Sequence, residues 1–428
     1  MRLLQFTAGA GAMYCGSCLH SNTLALHLSA LGTDVTLVPL YTPTRTDEKN
    51  ASTSEVFFGG ISVFLEQSVP FLRRTPKILD SLWDSKAALY AVGLLNTSTN
   101  PASLGPLTVS MLRAEAGHQK KEIEHLSAWL DTQERFDVAL IPYTLLLGLA
   151  PALRARGLKV TCELQGEDLF LDGLTEPWRT EARQLIGERA KDVELFIAGS
   201  RYYADMMSAS LKIPREKIHV LPHGIDIDER LMGLKTTHSP EFTVGFFARI
   251  APEKGLHVLA DAYIKFRERR PDRKARLAAG GYLAGEHREY LLGIEDKLRA
   301  KGREGEFHYY GSPDRQGKFE FLRSLDLLAA PTPYREPKGL FAMEAMACGV
   351  PVVLPRHGAF PELIEATQGG LLHTAGDEGD LVLALERLAD DPDARKSMGE
   401  HGARAVRERF SAPLMAARTR DLLAGLIG

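Results

Sequence analysis

The chain has 428 residues, 44% hydrophobic and 25% charged, values of an ordinary well-cored globular protein long enough for two or three domains. A formal net charge of −3 gives no general attraction to nucleic acid, so no nucleic-acid partner is expected, and no run is apolar enough to span a bilayer. Four cysteines in a chain this long do not make a disulfide framework. The N-terminus carries one basic residue and a very short apolar run, which reads as a first strand rather than a signal peptide. A cytoplasmic location is the expectation.

Leu3 to Phe6 reads as a short strand, followed by a glycine-rich loop from Gly9 to Gly16. A helix follows from about Ser17 to Leu31, with Leu19, Leu24, Leu28 and Leu31 on its apolar side and Gly32 as its stop. Val35 to Leu40 is the second strand. Tyr41 to Asn50 is polar and turn-rich, and Phe57 to Gln67 reads as strand. Residues from about 75 to 130 are mostly helical, broken by the loop Asn96 to Ser103. Asp137 to Tyr143, Lys159 to Gly166 and Glu194 to Ser200 read as core strands, and Lys217 to Asp226 closes the first half. Residues 227 to 241 carry little apolar periodicity and include Gly233 and Pro240, as a linker does.

A second α/β alternation begins with FTVGFFARI. It continues through a helix from Gly255, then RLAAGGY, EFHYYGS, DLLAAP and GVPVVLP, and ends near Phe410. Ser411 can cap a last helix, Pro413 to Leu426, placed to fold back across the first domain. The expected domains are 1–226, completed by 411–428, and 241–410. Two such units leave a cleft suited to a ligand.

The most informative stretch runs from Asp326 to Leu354. Asp326 to Ala330 is a short buried strand, and Pro331 to Pro337 a turn-rich loop. Gly339 opens a helix that ends at Gly349, and Val350 to Leu354 is the next strand. Ligands of parallel sheets bind beyond the carboxyl ends of the strands, which puts Glu336 at the crevice. Glu344 falls about one and a half turns into the helix and can face the same crevice. Between them the amides of Gly339, Leu340 and Phe341 lie at a helix N-terminus, where anions bind. Two acceptor carboxylates flanking an anion site suit a ligand with hydroxyls at both ends and phosphate in the middle, as in a nucleotide sugar. The plainer alternative, two surface carboxylates, does not account for the order of strand, loop, Glu, Gly, helix and Glu.

A sugar that leaves a nucleoside diphosphate creates charge on phosphate, which must be neutralised. Arg249, at the end of FTVGFFARI, and Lys254, just before the next helix, are placed for this work. Arg offers bidentate contact and Lys a compact charge. The metal alternative would use Asp226 and Asp228, but no second ligand cluster accompanies them, and they read as capping and solvated carboxylates. In the first domain Gly16 lets backbone approach a phosphate. A dinucleotide fingerprint fails, because Tyr14 stands where glycine is needed and Leu40 and Tyr41 where an acid is expected.

Taken together, EPKGLFAMEAMACGVPVV, GFFARIAPEKG, KIHVLPHGID and the N-terminal loop resemble the retaining glycosyltransferases of family 4, the group 1 glycosyl transferases. The resemblance spans nearly the whole chain. It implies the GT-B fold, an α/β architecture of two Rossmann-like domains facing across a cleft, with a C-terminal helix crossing back to the first. By resemblance Glu336 contacts the donor sugar and Glu344 the ribose hydroxyls. Arg249 and Lys254 hold the diphosphate with the amides of Gly339 and Leu340, and Gly16 approaches it from the first domain. No metal or other cofactor is required, and the anomeric configuration is kept by front-face attack. Where many members carry a histidine near the sugar, this chain has Gln165, which can hydrogen-bond a hydroxyl but not act as acid or base near neutral pH.

Cys15 and Cys18 form a CxxC at a loop-to-helix junction, with His20 and Cys162 expected nearby. A redox or metal role is conceivable there, although a zinc set would want a second pair. Cys348 reads as buried filler. Val69 to Leu95 mixes Phe71, Leu72 and Trp83 with Arg73, Arg74 and Lys77. It suits peripheral contact with an anionic membrane and a lipid-linked acceptor, although such helices more often bury their apolar side internally. The reading is a transferase using a nucleotide-diphosphate sugar, a uridine one favoured, with a small-molecule, glycan or lipid-linked acceptor. A phosphorylase, a nucleotide-sugar epimerase and a non-catalytic sensor are the alternatives.

Overall fold

Short runs of aliphatic residues set the architecture, because strands buried on both faces need apolar side chains on both. The computed structural model describes residues 1–8, 16–44, 46, 48–53, 56–57, 101–228 and 241–428. The rest of the glycine-rich loop, the strand expected at Phe57 to Gln67, the segment Val69 to Leu95 and most of the expected linker lie outside these residues.

The first sheet contains β1 (Arg2–Thr7), β2 (Asp34–Pro39), β3 (Val138–Ile141), β4 (Lys159–Leu164), β5 (Leu195–Ala198) and β6 (Ile218–Val220). Its order is β2-β1-β3-β4-β5-β6, and every pairing is parallel. The strand period of two assigns the faces. Leu3, Val138 and Leu140 pack on one side with Leu24 and Leu28, and Leu4, Ala139 and Ile141 pack on the other. Met415, Ala416 and Leu423 of the last helix, Ala412–Ala424, complete the first of these clusters. The chain divides accordingly into two compact units, Met1–Pro222 with Met415–Gly428, and His223–Leu414.

The helix after β1 runs Gly16–Ala30 and buries Leu24 and Leu28 of the expected leucine stripe, but not leucines alone. Its buried side includes Cys18, His20, Ser21, Asn22 and Thr23, whereas Leu31 lies beyond its end and is 38% exposed. Polar groups are buried there because partners await them: Asn22 Nδ2 donates to the Lys49 carbonyl at 3.0 Å, and Thr23 Oγ1 to Glu48 at 2.8 Å.

The second sheet contains β7 (Phe242–Phe247), β8 (Ala275–Gly280), β9 (Phe307–Tyr309), β10 (Leu327–Ala329), β11 (Val352–Pro355) and β12 (Gly370–His373). Its order is β12-β11-β10-β7-β8-β9, again all parallel. β12 was not anticipated from the sequence: it is a short edge strand, only partly buried along most of its length, without a continuous apolar run. This is the doubly wound order. Strands are added one way from β7 to β8 and β9, and the other way from β7 to β10, β11 and β12. Ligands of such sheets bind where the order reverses, beyond the carboxyl ends of β7 and β10.

Gly255 fixes how the loop after β7 meets the loop after β10. Its φ is +82°, and a Cβ there would lie 2.2 Å from the Pro331 carbonyl oxygen. Gly376, with φ +77°, has nothing within 4 Å of such a Cβ. Gly376→Ala is therefore expected to cost only backbone strain, about 1 kcal/mol, and Gly255→Ala about 3 kcal/mol or more because backbone overlap is added. Urea denaturation of both variants checks this; equal losses would mean that the close approach to Pro331 carries no weight.

Candidate functional site

Both loops at the reversal point end in a glycine of positive φ that starts a helix. Gly255 precedes the helix Leu256–Arg269, and Gly339, with φ +72°, precedes the helix Leu340–Ala347. Neither N-cap glycine offers a side-chain cap; at the first helix the His257 amide donates to the Tyr290 hydroxyl at 3.1 Å, whereas the first N–H groups of the second helix are orphan donors at the carboxyl end of the sheet. The second helix is apolar almost all round: Ala342, Met343, Ala345, Met346 and Ala347 are buried. Its partly exposed positions are Leu340, Phe341 and Glu344, which the helical repeat places on one side. Glu344 is thus the polar group on the open side, one turn from the uncapped end.

Lys254 and Glu336 meet. Lys254 Nζ lies 2.5 Å from Glu336 Oε2, their side chains are 14% and 10% exposed, and Nζ sits 5.5 Å from the centre of the Tyr334 ring. Burial alone would push the Glu336 carboxyl up. Lys254, through charge and hydrogen bond, and Lys338 outweigh it and hold the carboxyl below its ordinary value. The Glu336 loop is braced from behind by the turn after β11. The Ala359 amide donates to the Glu336 carbonyl at 2.9 Å, and His357 Nε2 lies 3.0 Å from the Thr332 carbonyl. A carbonyl only accepts, so that nitrogen carries the proton. Burial keeps the His357 ring below its usual value, in the neutral form.

Arg249 and Glu344 have partners of their own. Arg249 Nη2 pairs with Glu253 at 2.7 Å, and its side chain is half exposed. Lys318 Nζ donates to Glu344 Oε1 at 2.8 Å. Lys318, His357 and Tyr334 were not singled out from the sequence. Lys318 lies on a different helix, and no local spacing ties it to Glu344. Asp226 Oδ2 accepts from Arg315 at 2.9 Å. Among the described residues no group of three or more His, Cys, Asp or Glu is arranged to hold a metal.

In the first unit, Gly16 starts its helix and is exposed. Ser17 Oγ donates to Gln165 Oε1 at 2.6 Å, and Gln165 Nε2 donates to Glu163 Oε2 at 2.7 Å. His20 Nε2 lies 2.8 Å from Glu163 Oε1. Ser17 and His20, one helical turn apart, thus meet Gln165 and Glu163, two apart along β4 and the residue after it. The turn after Gln165 is tied down by Glu167, which accepts from the Gln165 and Thr144 amides at 2.7 and 3.0 Å. Burial raises the Glu167 carboxyl even so. Cys162 is buried, and its thiol is pushed well up by burial and by Glu167 and Glu163; burial and Glu344 push the Cys348 thiol up to about 12. Neither is a poised thiolate. Cys15 of the CxxC lies outside the described residues.

The chain is similar to known proteins along most of its length. Residues 234–405 match the model for glycosyl transferases group 1, and residues 104–229 that for glycosyltransferase family 4. The D-inositol 3-phosphate glycosyltransferase of Corynebacterium kroppenstedtii is 32% identical over 158 residues, 37% of this chain and 35% of that protein. D-inositol 3-phosphate glycosyltransferase 2 of Catenulispora acidiphila is 28% identical over 351 residues, 75% of each chain. Anabaena HepE, solved in complex with UDP, superposes with a TM-score of 0.67 at 18% identity, covering 99% of this chain and 100% of that one. The fold is GT-B: two Rossmann-like units, with a last helix that returns to the first. The chain belongs to the family 4, group 1, glycosyltransferases.

Removing Lys254 strands a buried carboxylate. Lys254→Met is expected to destabilise the protein at pH 7 by roughly 3 kcal/mol. The folded Glu336 value lies below the unfolded one, so the pair's stabilisation is complete above about pH 4.5 and fades as pH falls through the lower folded value. The gap between wild type and Lys254→Met should therefore narrow toward pH 4 in urea titrations. An equal gap at both pH values would show that the pair does not govern the ionisation of Glu336.

Proposed function

We propose that the protein is a metal-independent, retaining glycosyltransferase that takes its sugar from a nucleotide-diphosphate sugar, UDP favoured, and acts in the cytoplasm. The observation that carries the reading is the Lys254–Glu336 pair beside the uncapped helix start at Gly339, at the reversal point of the second sheet. The UDP held by HepE and the names of the curated relatives support the donor class. The acceptor is a small molecule, a glycan or a lipid-linked glycan.

In this reading the amides of Gly339, Leu340 and Phe341 receive the diphosphate, with Lys254 and Arg249 supplying positive charge. An ammonium has three donor hydrogens, so Lys254 can keep Glu336 while reaching a phosphate oxygen. Glu336 contacts hydroxyls of the sugar and Glu344 those of the ribose. As the bond from the anomeric carbon to the phosphate oxygen breaks, negative charge gathers on that oxygen and the cations and amides stabilise it. The acceptor hydroxyl attacks from the same face, and its proton passes to the leaving phosphate, so configuration is kept without a protein base. Metal independence is supported by this supply of cations and amides where charge develops.

Glu336→Ala is expected to lower kcat about 100-fold, because the sugar is no longer held for attack, while UDP affinity is kept. A thermal-shift screen with UDP, GDP and ADP, followed by a product assay on the bound nucleotide's sugars, makes the measurement. Parallel loss of nucleotide affinity would remove Glu336 from the sugar subsite, and sugar phosphate release with free phosphate would indicate a phosphorylase instead.

A further inference from the structure

We propose that Lys318 is a positioning residue for nucleoside recognition: it anchors one oxygen of Glu344 so that the other meets a ribose hydroxyl. The inference rests on the nucleotide-sugar reading above and deepens it.

Lys318 lies on the helix Arg315–Ser324, whose N-cap Asp314 accepts from the Gly317 amide at 2.8 Å. The residue is only 9% exposed, an unusual setting for a lysine. Its Nζ reaches Glu344 Oε1 at 2.8 Å and stands 4.9 Å from the centre of the Phe319 ring, itself fully buried in the core. Both groups of the pair are largely out of water, with side chains 11% and 19% exposed. Such a pair is weak evidence of stability, since two well-packed apolar side chains would do as well or better. What it fixes is orientation. Lysine only donates, so Oε1 is committed as its acceptor, and the plane of the carboxylate is set by a donor on a capped helix. Among the described residues Oε2 receives no hydrogen bond. It lies on the open side of the helix Leu340–Ala347, with Leu340 of the uncapped end. An acceptor held this way, one turn from an anion site, suits a vicinal diol next to a phosphate ester, and the ribose of a nucleoside diphosphate is such a group. Left unanchored, the Glu344 side chain would have to be ordered by the ligand at the ligand's expense.

The test uses matched ribose and 2′-deoxyribose forms of UDP, GDP and ADP, titrated calorimetrically into wild type, Lys318→Met, Glu344→Gln and the double variant. Wild type should prefer the ribose form of its nucleotide by about tenfold or more, the worth of one hydrogen bond to a charged acceptor. Lys318→Met should lose most of that preference while remaining folded by thermal melt. The double variant should lose no more than Glu344→Gln alone, since the lysine acts only through the glutamate. Should Lys318→Met fail to fold, Lys318→Ala, which leaves room for water beside Glu344, is read by the same ratio. A full ribose preference in the folded Lys318 variant, with only the melting temperature lowered, overturns the inference and leaves Lys318 a scaffold residue. A wild type that binds nucleotide without preferring ribose removes the role of Glu344 and this inference with it, but not the donor site. A wild type that binds none of the three removes the nucleotide-sugar reading itself.

Discussion

One ion pair ties together the two loops on which the second unit's site is built. Lys254 closes the loop after β7, and Glu336 stands in the loop after β10; the two residues, 82 apart in sequence, join loops that follow neighbouring strands. Each loop then turns into a helix through a left-handed glycine. The pair holds a cation and an anion beside the unsatisfied amides at the start of the helix Leu340–Ala347, and it gives both a defined place with no ligand bound. Pre-placement of this kind spares the ligand the cost of ordering long side chains. The back of the Glu336 loop is held as firmly: a neutral His357 and the Ala359 amide bond its carbonyls.

Glutamate and lysine recur as a pattern. Glu336 is held by Lys254, and Glu344 by Lys318. The first unit solves a similar problem without a lysine, setting Glu163 between His20 and Gln165. In each case a carboxylate that would be costly to bury alone is satisfied by a donor from another element. Stability does not require such groups; they define positions within a core of aliphatic side chains.

The strands were legible because period and apolar content are local properties. Val35 to Leu40 was expected and Asp34–Pro39 is found; Asp326 to Ala330 was expected and Leu327–Ala329 is found. β12 escaped because a four-residue edge strand carries too little pattern. The buried polar side of the helix Gly16–Ala30 escaped because its partners come from β4 and from residues 48 to 50. For the candidate site, sequence marked Glu336, Glu344, Arg249 and Lys254 through their places at strand ends and helix starts. It did not show which cation serves which acid. Lys318 and Glu344 are 26 residues apart on separate helices, and only the packing of those helices brings them together. Arg249 pairs with Glu253, a near neighbour on its own loop.

The helix Ala412–Ala424 has a bearing on how the molecule is made. Met415, Ala416 and Leu423 complete an apolar cluster on the first sheet whose other buried members, Leu3, Leu24, Leu28, Val138, Leu140, Leu195 and Ile197, all precede the second unit in the chain. During translation that cluster stays uncovered while the whole second unit emerges and folds. The first unit is therefore completed only after the second has been made, and a nascent chain that stalls within the second unit carries an exposed hydrophobic surface for chaperones and proteases to detect.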